Sequence, residues 1–235
     1  MLHVIRTIID SNREINIFSG NGIVTFVNPY AYTYIRKKTG LFDQFDYIFV
    51  DGMLLANFVT LFYGTKIKRN SFDMTGLAPE CFSYAINQGK TLYFVGDTEF
   101  AMNNAVKIIK QHYPEIKIIG SRNGFFKDEM DEDSFIKELA DINPDIVIVG
   151  MGLFRQENFL VKLKKSGWNG LGFTCGGFFH QVTKKIDYYP SIINKLNLRW
   201  VYRFIKEPSV RWRLLRIIFL FPFLFIYDYC HQKVN

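Results

Sequence analysis

From about residue 91 the chain alternates short β-branched or aromatic runs with amphipathic segments, the pattern of βα units around a mainly parallel sheet. TLYFVGD (91–97) reads as a buried strand. After it, Ala101, Ala105, Ile108 and Ile109 share one helical face, with Pro114 just beyond the helix end. Strand IKIIG (116–120), the turn SRNGFF, a helix through DEDSFIKELADI, strand DIVIVGMG (145–152), helix QENFLVKLKKS and strand GLGFTCGG (170–177) complete a Rossmann-like half. The first 90 residues are less regular. IVTFV (23–27) and YIFV (47–50) read as strands that end in polar residues, and MLLANFVTLFYG reads as a buried helix, which together predict an N-terminal α/β subdomain. No Pro/Gly/Ser-rich linker divides the two parts, so 1–90 and 91–194 are expected to pack as subdomains of one catalytic unit, 1–194, with 195–235 appended.

Composition narrows the class. The 235 residues are 49% hydrophobic and 17% aromatic, yet no continuous apolar stretch reaches the roughly 18 residues of a spanning helix, so a polytopic membrane protein is excluded. Cys81, Cys175 and Cys230 form no CxxC pair and no closely spaced set with the histidines, so neither a disulfide framework nor a metal site is expected. That cysteine pattern fits a reducing compartment, and the N-terminus, with Asp10 and Glu14 among its apolar residues, reads as no secretion signal. The net charge is +7, but seven basic residues and one acid between Lys195 and Arg216 account for +6 of it.

In open α/β sheets ligands bind beyond the carboxyl ends of strands, where loops gather and helix N-termini present free N–H groups. Thr25 and Asn28, Asp51-Gly52, Gly96-Asp97, Asn123-Gly124-Phe125 and Gly150-Met151-Gly152 all fall there, and Gln156 and Glu157 open the next helix. Asp51 follows YIFV directly and precedes a glycine. It is a candidate general base, or a turn-forming or capping aspartate. The Gly150-x-Gly152 turn either brings amides to a diphosphate or is a tight strand-to-helix turn. Gln156 and Glu157 either hydrogen-bond a sugar or ribose or, for Glu157, answer the helix macrodipole. His180, beside two phenylalanines, reads as a core or turn group.

Taken in order, IVTFVNPYAY (23–32), VDGMLLA (50–56), Arg69 with FDM (72–74), LYFVGD (92–97), GMGLFRQE (150–157), CGGFFHQVTKKIDYYP (175–190) and LNLRWVYRFIKEPSVRWR (196–213) resemble the WecG/TagA/CpsF family of glycosyltransferases, from about residue 20 to 216. The resemblance implies an inverting, metal-independent transferase in which a hydroxyl of an undecaprenyl-diphosphate-linked saccharide attacks a UDP-sugar during surface-polysaccharide synthesis. No cofactor is implied. By motif, Asp51 is the base, Thr25 orients a substrate and Gln156 contacts the donor sugar or its phosphates. Asn28, Asp73, Gly96, Asp97, Gly124, Phe125, Gly150, Gly152, Arg155 and Glu157 are the implied substrate- and nucleotide-binding residues. No Asp-x-Asp pair stands at a nucleotide loop, so arginines and helix-end amides would take the diphosphate charge. His180 and Tyr188 stand where better-known members have aspartate and arginine, and Phe154-Arg155 where proline and lysine are usual, so the donor sugar is not carried over.

The tail adds a membrane expectation of its own. Arg199, Arg203 and Lys206 form a basic helical stripe beside Trp200 and Phe204. Arg211, Arg213 and Arg216 then run into apolar residues from Ile217 to Tyr227, interrupted by Pro222. Such a segment suits the bilayer interface, each cation adding on the order of 1 kcal/mol at an anionic leaflet. The resemblance implies that these arginines reach the lipid diphosphate, on the cytoplasmic face of the plasma membrane, in a peripheral protein. The alternative is an apolar helix packed in the core or in a homo-oligomer interface. A non-catalytic scaffold of a polysaccharide assembly complex is the competing function. An NAD enzyme lacks its GxGxxG, and a nucleic-acid binder does not suit a FLFPFLFIY run beside the charge.

Overall fold

The computed structural model describes residues 1–13, 16–184, 193, 199–206 and 208–232. Six strands, β1 (Gly22–Val27), β2 (Tyr47–Val50), β3 (Thr91–Gly96), β4 (Lys117–Arg122), β5 (Ile146–Gly150) and β6 (Leu171–Thr174), form one sheet in the order β2-β1-β6-β5-β3-β4. Every pairing is parallel. The strands are therefore covered on both faces, as parallel sheets require, and their side chains divide by period two. Ile48 and Val50, Val147 and Val149 join one apolar cluster, while Phe49, Ile146 and Ile148 join the other.

The first cluster is closed by α1 (Leu2–Ser11), α2 (Pro29–Ile35), α3 (Thr39–Phe42), α4 (Met53–Tyr63), α7 (Glu129–Ile142) and α8 (Arg155–Lys165). The second is closed by α5 (Leu77–Asn87), α6 (Glu99–His112) and α9 (Phe178–Lys184). Local chemistry sets several starts. Asn28 Oδ1 accepts from Ala31 N at 2.9 Å ahead of Pro29, and Thr98 and Asp128 cap α6 and α7 in the same way.

Two features differ from the sequence expectation. The stretches 1–90 and 91–194, expected as two subdomains, share one continuous sheet, because β1 pairs with β2 on one side and with β6 on the other. The C-terminal segment, expected as an appendage with packing in the core as the alternative, folds back onto the domain. After α10 (Arg199–Lys206), α11 (Pro208–Gln232) runs unbroken through Pro222 and buries Ile217, Phe221 and Phe225 in the first cluster.

Phe221 and Phe225 meet Tyr32 and Phe58 at ring separations between 5.2 and 5.4 Å. A proline in a helix interior costs about 3 kcal/mol, and burying these two rings returns about 1.5–3 kcal/mol each, so the helix continues. Asp228 fastens its far end, accepting from Arg36 Nε at 3.0 Å and from Tyr32 Oη at 3.0 Å. Burial and the adjacent carboxylate push the Tyr32 phenol well above its ordinary range, which keeps it a neutral donor. Among the described residues no helix is long and apolar enough to cross a membrane.

Candidate active site

A cavity of about 1140 Å³ opens over the carboxyl ends of the strands, with α11 closing one side through Ile217 and Ile218. Its first wall is built from β2. Asp51 N donates to Val27 O at 2.9 Å, extending the β1–β2 ladder by one residue, and Gly52 then turns at φ +124° beside Pro29. Arg69 makes a single parallel bridge to Val50, and Asn70 N donates to Val50 O at 2.9 Å.

In such an extended segment, residues two apart share a face, so Arg69, Ser71 and Asp73 point the same way. Arg69 Nη2 donates to Asp51 Oδ1 at 3.0 Å and to Ser71 Oγ at 2.9 Å, and Ser71 Oγ donates to Asp73 Oδ2 at 2.7 Å. Arg69 also lies 3.7 Å from Asp73, so one guanidinium serves two carboxylates. The Asp51 side chain keeps 37% of its surface exposed.

The second wall is the start of α8. Phe154 adopts φ +71°, a left-handed conformation that costs a non-glycine residue on the order of 1–3 kcal/mol. Glu157 Oε2 accepts from Phe154 N and secures that turn. Its Oε1 accepts from Gln156 Nε2 at 2.9 Å and from Thr25 Oγ1 at 3.2 Å, and Thr174 Oγ1 donates to Thr25 Oγ1 at 3.0 Å. Gln156 Oε1 in turn accepts from Gly176 N at 3.1 Å. Glu157 is 1% exposed, and burial pushes its pKa up against the pull of its hydrogen bonds from Gln156, Phe154 and Thr25.

Most residues singled out in the sequence meet here. Asn28, Asp51, Asp73, Asp97, Gly124, Phe125, Gly150, Gly152, Arg155 and Gln156 line the cavity. Thr25 and Glu157 do not: both are buried beneath its floor, because Thr25 sits inside β1 on the face covered by α8. Gly96 also stays outside the lining. A Cβ there would collide with the Gly150 carbonyl, and one on Gly124 would stand 2.9 Å from Gly96 Cα. These three glycines let the backbones of neighbouring strand ends meet. Gly152, at φ +80° with open space around it, is the glycine of the set that leaves room for a ligand.

Arg155 reaches across to Gly124 O at 2.7 Å, with its guanidinium 5.8 Å from the centre of the half-exposed Phe125 ring. Cys175 lines the cavity too, but burial raises its thiol well above the ordinary value, which leaves it unsuited to act as a nucleophile.

In the tail, Arg211 donates from Nε to Phe204 O at 2.9 Å and from Nη2 to Ile205 O at 3.2 Å, so it caps the end of α10 rather than facing the cavity. Arg199, Arg203, Arg213 and Arg216 fall within α10 and α11, with side chains outside the described residues; Tyr188 lies outside them as well. Sequence reasoning places none of Arg69, Ser71, Thr174, Ile217 and Ile218 in the site: Arg69 reads there as part of a family motif, and Ile217 and Ile218 as part of a membrane-facing run. The alternation of Arg69, Ser71 and Asp73 after an apolar Ile67 is the signal that points to the first two.

The chain is 36% identical over 214 residues to the UDP-Gal:alpha-D-GlcNAc-diphosphoundecaprenol beta-1,4-galactosyltransferase of Shigella boydii, covering 89% of this chain and 90% of that one. It is 25% identical over 201 residues to the N-acetylglucosaminyldiphosphoundecaprenol N-acetyl-beta-D-mannosaminyltransferase of Bacillus subtilis, covering 83% and 75%. The protein of the same name from Bacillus spizizenii is 24% identical over 216 residues, covering 90% and 78%. The model of the Glycosyl transferase WecG/TagA/CpsF family matches residues 3–235, and the chain therefore belongs to that family and is a glycosyltransferase.

Proposed function

We propose that this enzyme transfers a hexose, best matched by galactose, from a UDP-sugar to a GlcNAc-diphosphoundecaprenol acceptor with inversion, and that Asp51 is the general base. The observation that carries the reading is the placement of Asp51 at a strand end, open to the cavity and steered by Arg69. The Shigella boydii relative, alike over nearly its whole length, is named for UDP-Gal and a β-1,4 product. UDP-galactose is α-linked, so a β-linked product means inversion at the anomeric carbon.

In this mechanism Asp51 removes the proton of the acceptor hydroxyl as its oxygen attacks C1 from the face opposite UDP. The C1–O bond breaks with its electron pair passing to the diphosphate, and no enzyme nucleophile is formed. Arg155 and the amides of the Gly152–Arg155 turn other than that of Phe154 would meet the diphosphate charge, and Gln156 the donor sugar. The reading assigns no role to a metal, and transfer undiminished in EDTA is its expected outcome.

The acceptor is lipid-linked, and α11 supports a peripheral position at the cytoplasmic face of the membrane. While Ile217, Phe221 and Phe225 face the core, Trp212, Leu215, Phe219, Phe223 and Ile226 recur at three- and four-residue spacing on the exposed side. A helix apolar on both faces has one face left for lipid.

The test offers UDP-galactose, UDP-glucose, UDP-N-acetylglucosamine and UDP-N-acetylmannosamine with a GlcNAc-diphosphoprenol acceptor. The lipid product is weighed by mass spectrometry and its anomeric configuration read by NMR. A β-galactosyl product is expected. An α-linked product rejects inversion, preference for another sugar rejects galactose, and UDP-sugar binding without turnover on the acceptor favours the scaffold.

A further inference from the structure

We infer that Glu157 is a positioning residue for the transfer, holding the Gln156 amide in the orientation that meets the donor. The inference rests on the reading of Asp51 and Gln156 given above and deepens it. Among the described residues no cation pairs with the buried Glu157 carboxylate, an arrangement that costs stability unless hydrogen bonds compensate. Its two oxygens do different things. Oε2 takes the Phe154 N–H, the structural half of a capping box at the start of α8. Oε1 takes Gln156 Nε2 and Thr25 Oγ1, contacts that cap nothing.

Those contacts determine how Gln156 sits. Its Oε1 is taken by Gly176 N and one hydrogen of Nε2 by Glu157, so both ends of the planar amide are fixed and a flip would set donor against donor at Gly176. Gln156 lines the cavity, and its second Nε2 hydrogen remains to meet a ligand. Thr25, itself out of reach of the cavity, belongs to the same device. It receives the Thr174 hydroxyl and passes its own to Glu157, tying β1 and β6 to the start of α8.

The Phe154, Gln156 and Thr25 groups that surround this carboxyl all approach it as donors. An amide in its place would turn its own NH2 against one of them. Glu157→Gln is therefore expected to lower kcat/KM for the UDP-sugar about 10²-fold, the scale of a misplaced contact near the reacting atoms, with KM for the acceptor unchanged.

The decisive measurement is a cycle of Glu157→Gln, Gln156→Ala and the double variant in the full-length enzyme, with thermal midpoints recorded alongside. If Glu157 acts through Gln156, adding Glu157→Gln to Gln156→Ala costs less than about threefold further. Losses that multiply overturn the inference, as does full kcat/KM in Glu157→Gln alone. Should Glu157→Gln fail to fold, Glu157→Asp carries the same cycle and the same two outcomes. Asp51→Asn is run beside it: wild-type turnover there rejects the reading of the site itself, whereas an inactive Asp51→Asn with a multiplicative cycle rejects only the role of Glu157.

Discussion

Two carboxylates serve one cavity from opposite walls, and the structure holds them in contrasting ways. Asp51 keeps 37% of its side chain exposed and is paired with Arg69, whereas Glu157 is 1% exposed and, among the described residues, meets uncharged donors. An exposed carboxylate can take a proton and return it to water in every cycle. A buried one whose pKa burial has raised can do neither quickly, but its immobility suits it to holding other groups in place. On the proposed reading, proton transfer falls to the wall that carries Asp51 and orientation to the wall that carries Glu157, each with the environment its task needs.

The sharpest way to break this division is at Asp51. Asp51→Asn keeps the shape and the contact with Arg69 while removing the base, and kcat is expected to fall about 10²–10⁴-fold with the thermal midpoint nearly unchanged. Retained kcat would move the base elsewhere. Arg69→Met comes next. It leaves Asp51 and Asp73 facing the cavity without their shared cation, and a loss of about 10²-fold in kcat is expected from the displaced Asp51. If Arg69 only shaped the fold, stability would fall and the kcat of the surviving folded enzyme would not.

The two walls were unequally legible in the sequence. Asp51 stood out because a strand's last apolar residue hands over to a polar one at the carboxyl end of the sheet, and the same handover marks Asn28 and Asp97. Five of the six strands end in residues that line the cavity or lie next to ones that do, so the position of the site followed from the periodicity. Its depth did not. Thr25 and Phe26 are neighbours on opposite faces of β1, and which of them reaches the cavity depends on the twist and on α8, neither of which local pattern encodes.

Arg69 stayed without a site role because it joins β2 through a single residue pair, and the short polar alternation with Ser71 and Asp73 does not by itself say which strand it meets. In the tail the reverse held. Charge and aromatic content were plain, but α11 is apolar on both faces, and only tertiary packing decides which face turns inward.

That outer face of α11 provides the third prediction, because the same helix lines the cavity through Ile217 and Ile218. Phe223 is 74% exposed and Phe219 69%. Phe223→Ser is expected to weaken binding to vesicles of anionic phospholipid roughly tenfold, the worth of one aromatic side chain withdrawn from lipid. Hydrolysis or binding of the UDP-sugar in detergent-free solution should not change. Equal vesicle binding by wild type and variant in a co-sedimentation assay would remove this face from the membrane contact and leave it to a protein partner.

The smallest effect lies at the opposite end of the sheet, where a third carboxylate combines features of the other two and stands outside the cavity lining. Asp145 Oδ2 accepts from Thr91 N at 2.9 Å and Thr91 Oγ1 at 2.8 Å, and Oδ1 from Lys90 Nζ at 2.9 Å, clipping the start of β3 to the start of β5. Partial burial raises its pKa, but the Thr91 N–H, the Lys90 ammonium and the Thr91 hydroxyl together outweigh that and hold it below the usual carboxylate range.

Because the folded value lies below the unfolded one, the clip stabilises fully above the unfolded pKa of about 4 and loses its effect as pH falls through the lower, folded value. With the side chain 36% exposed, screening keeps its worth below about 1 kcal/mol, or a shift of roughly 2–4 °C in thermal midpoint for a chain of this size. Asp145→Asn should therefore melt a few degrees below wild type near neutral pH, converge with it in strong acid, and leave kcat untouched. A gap that stays constant across the acid range would mean that the clip works through shape and hydrogen-bond count, with its charge contributing nothing.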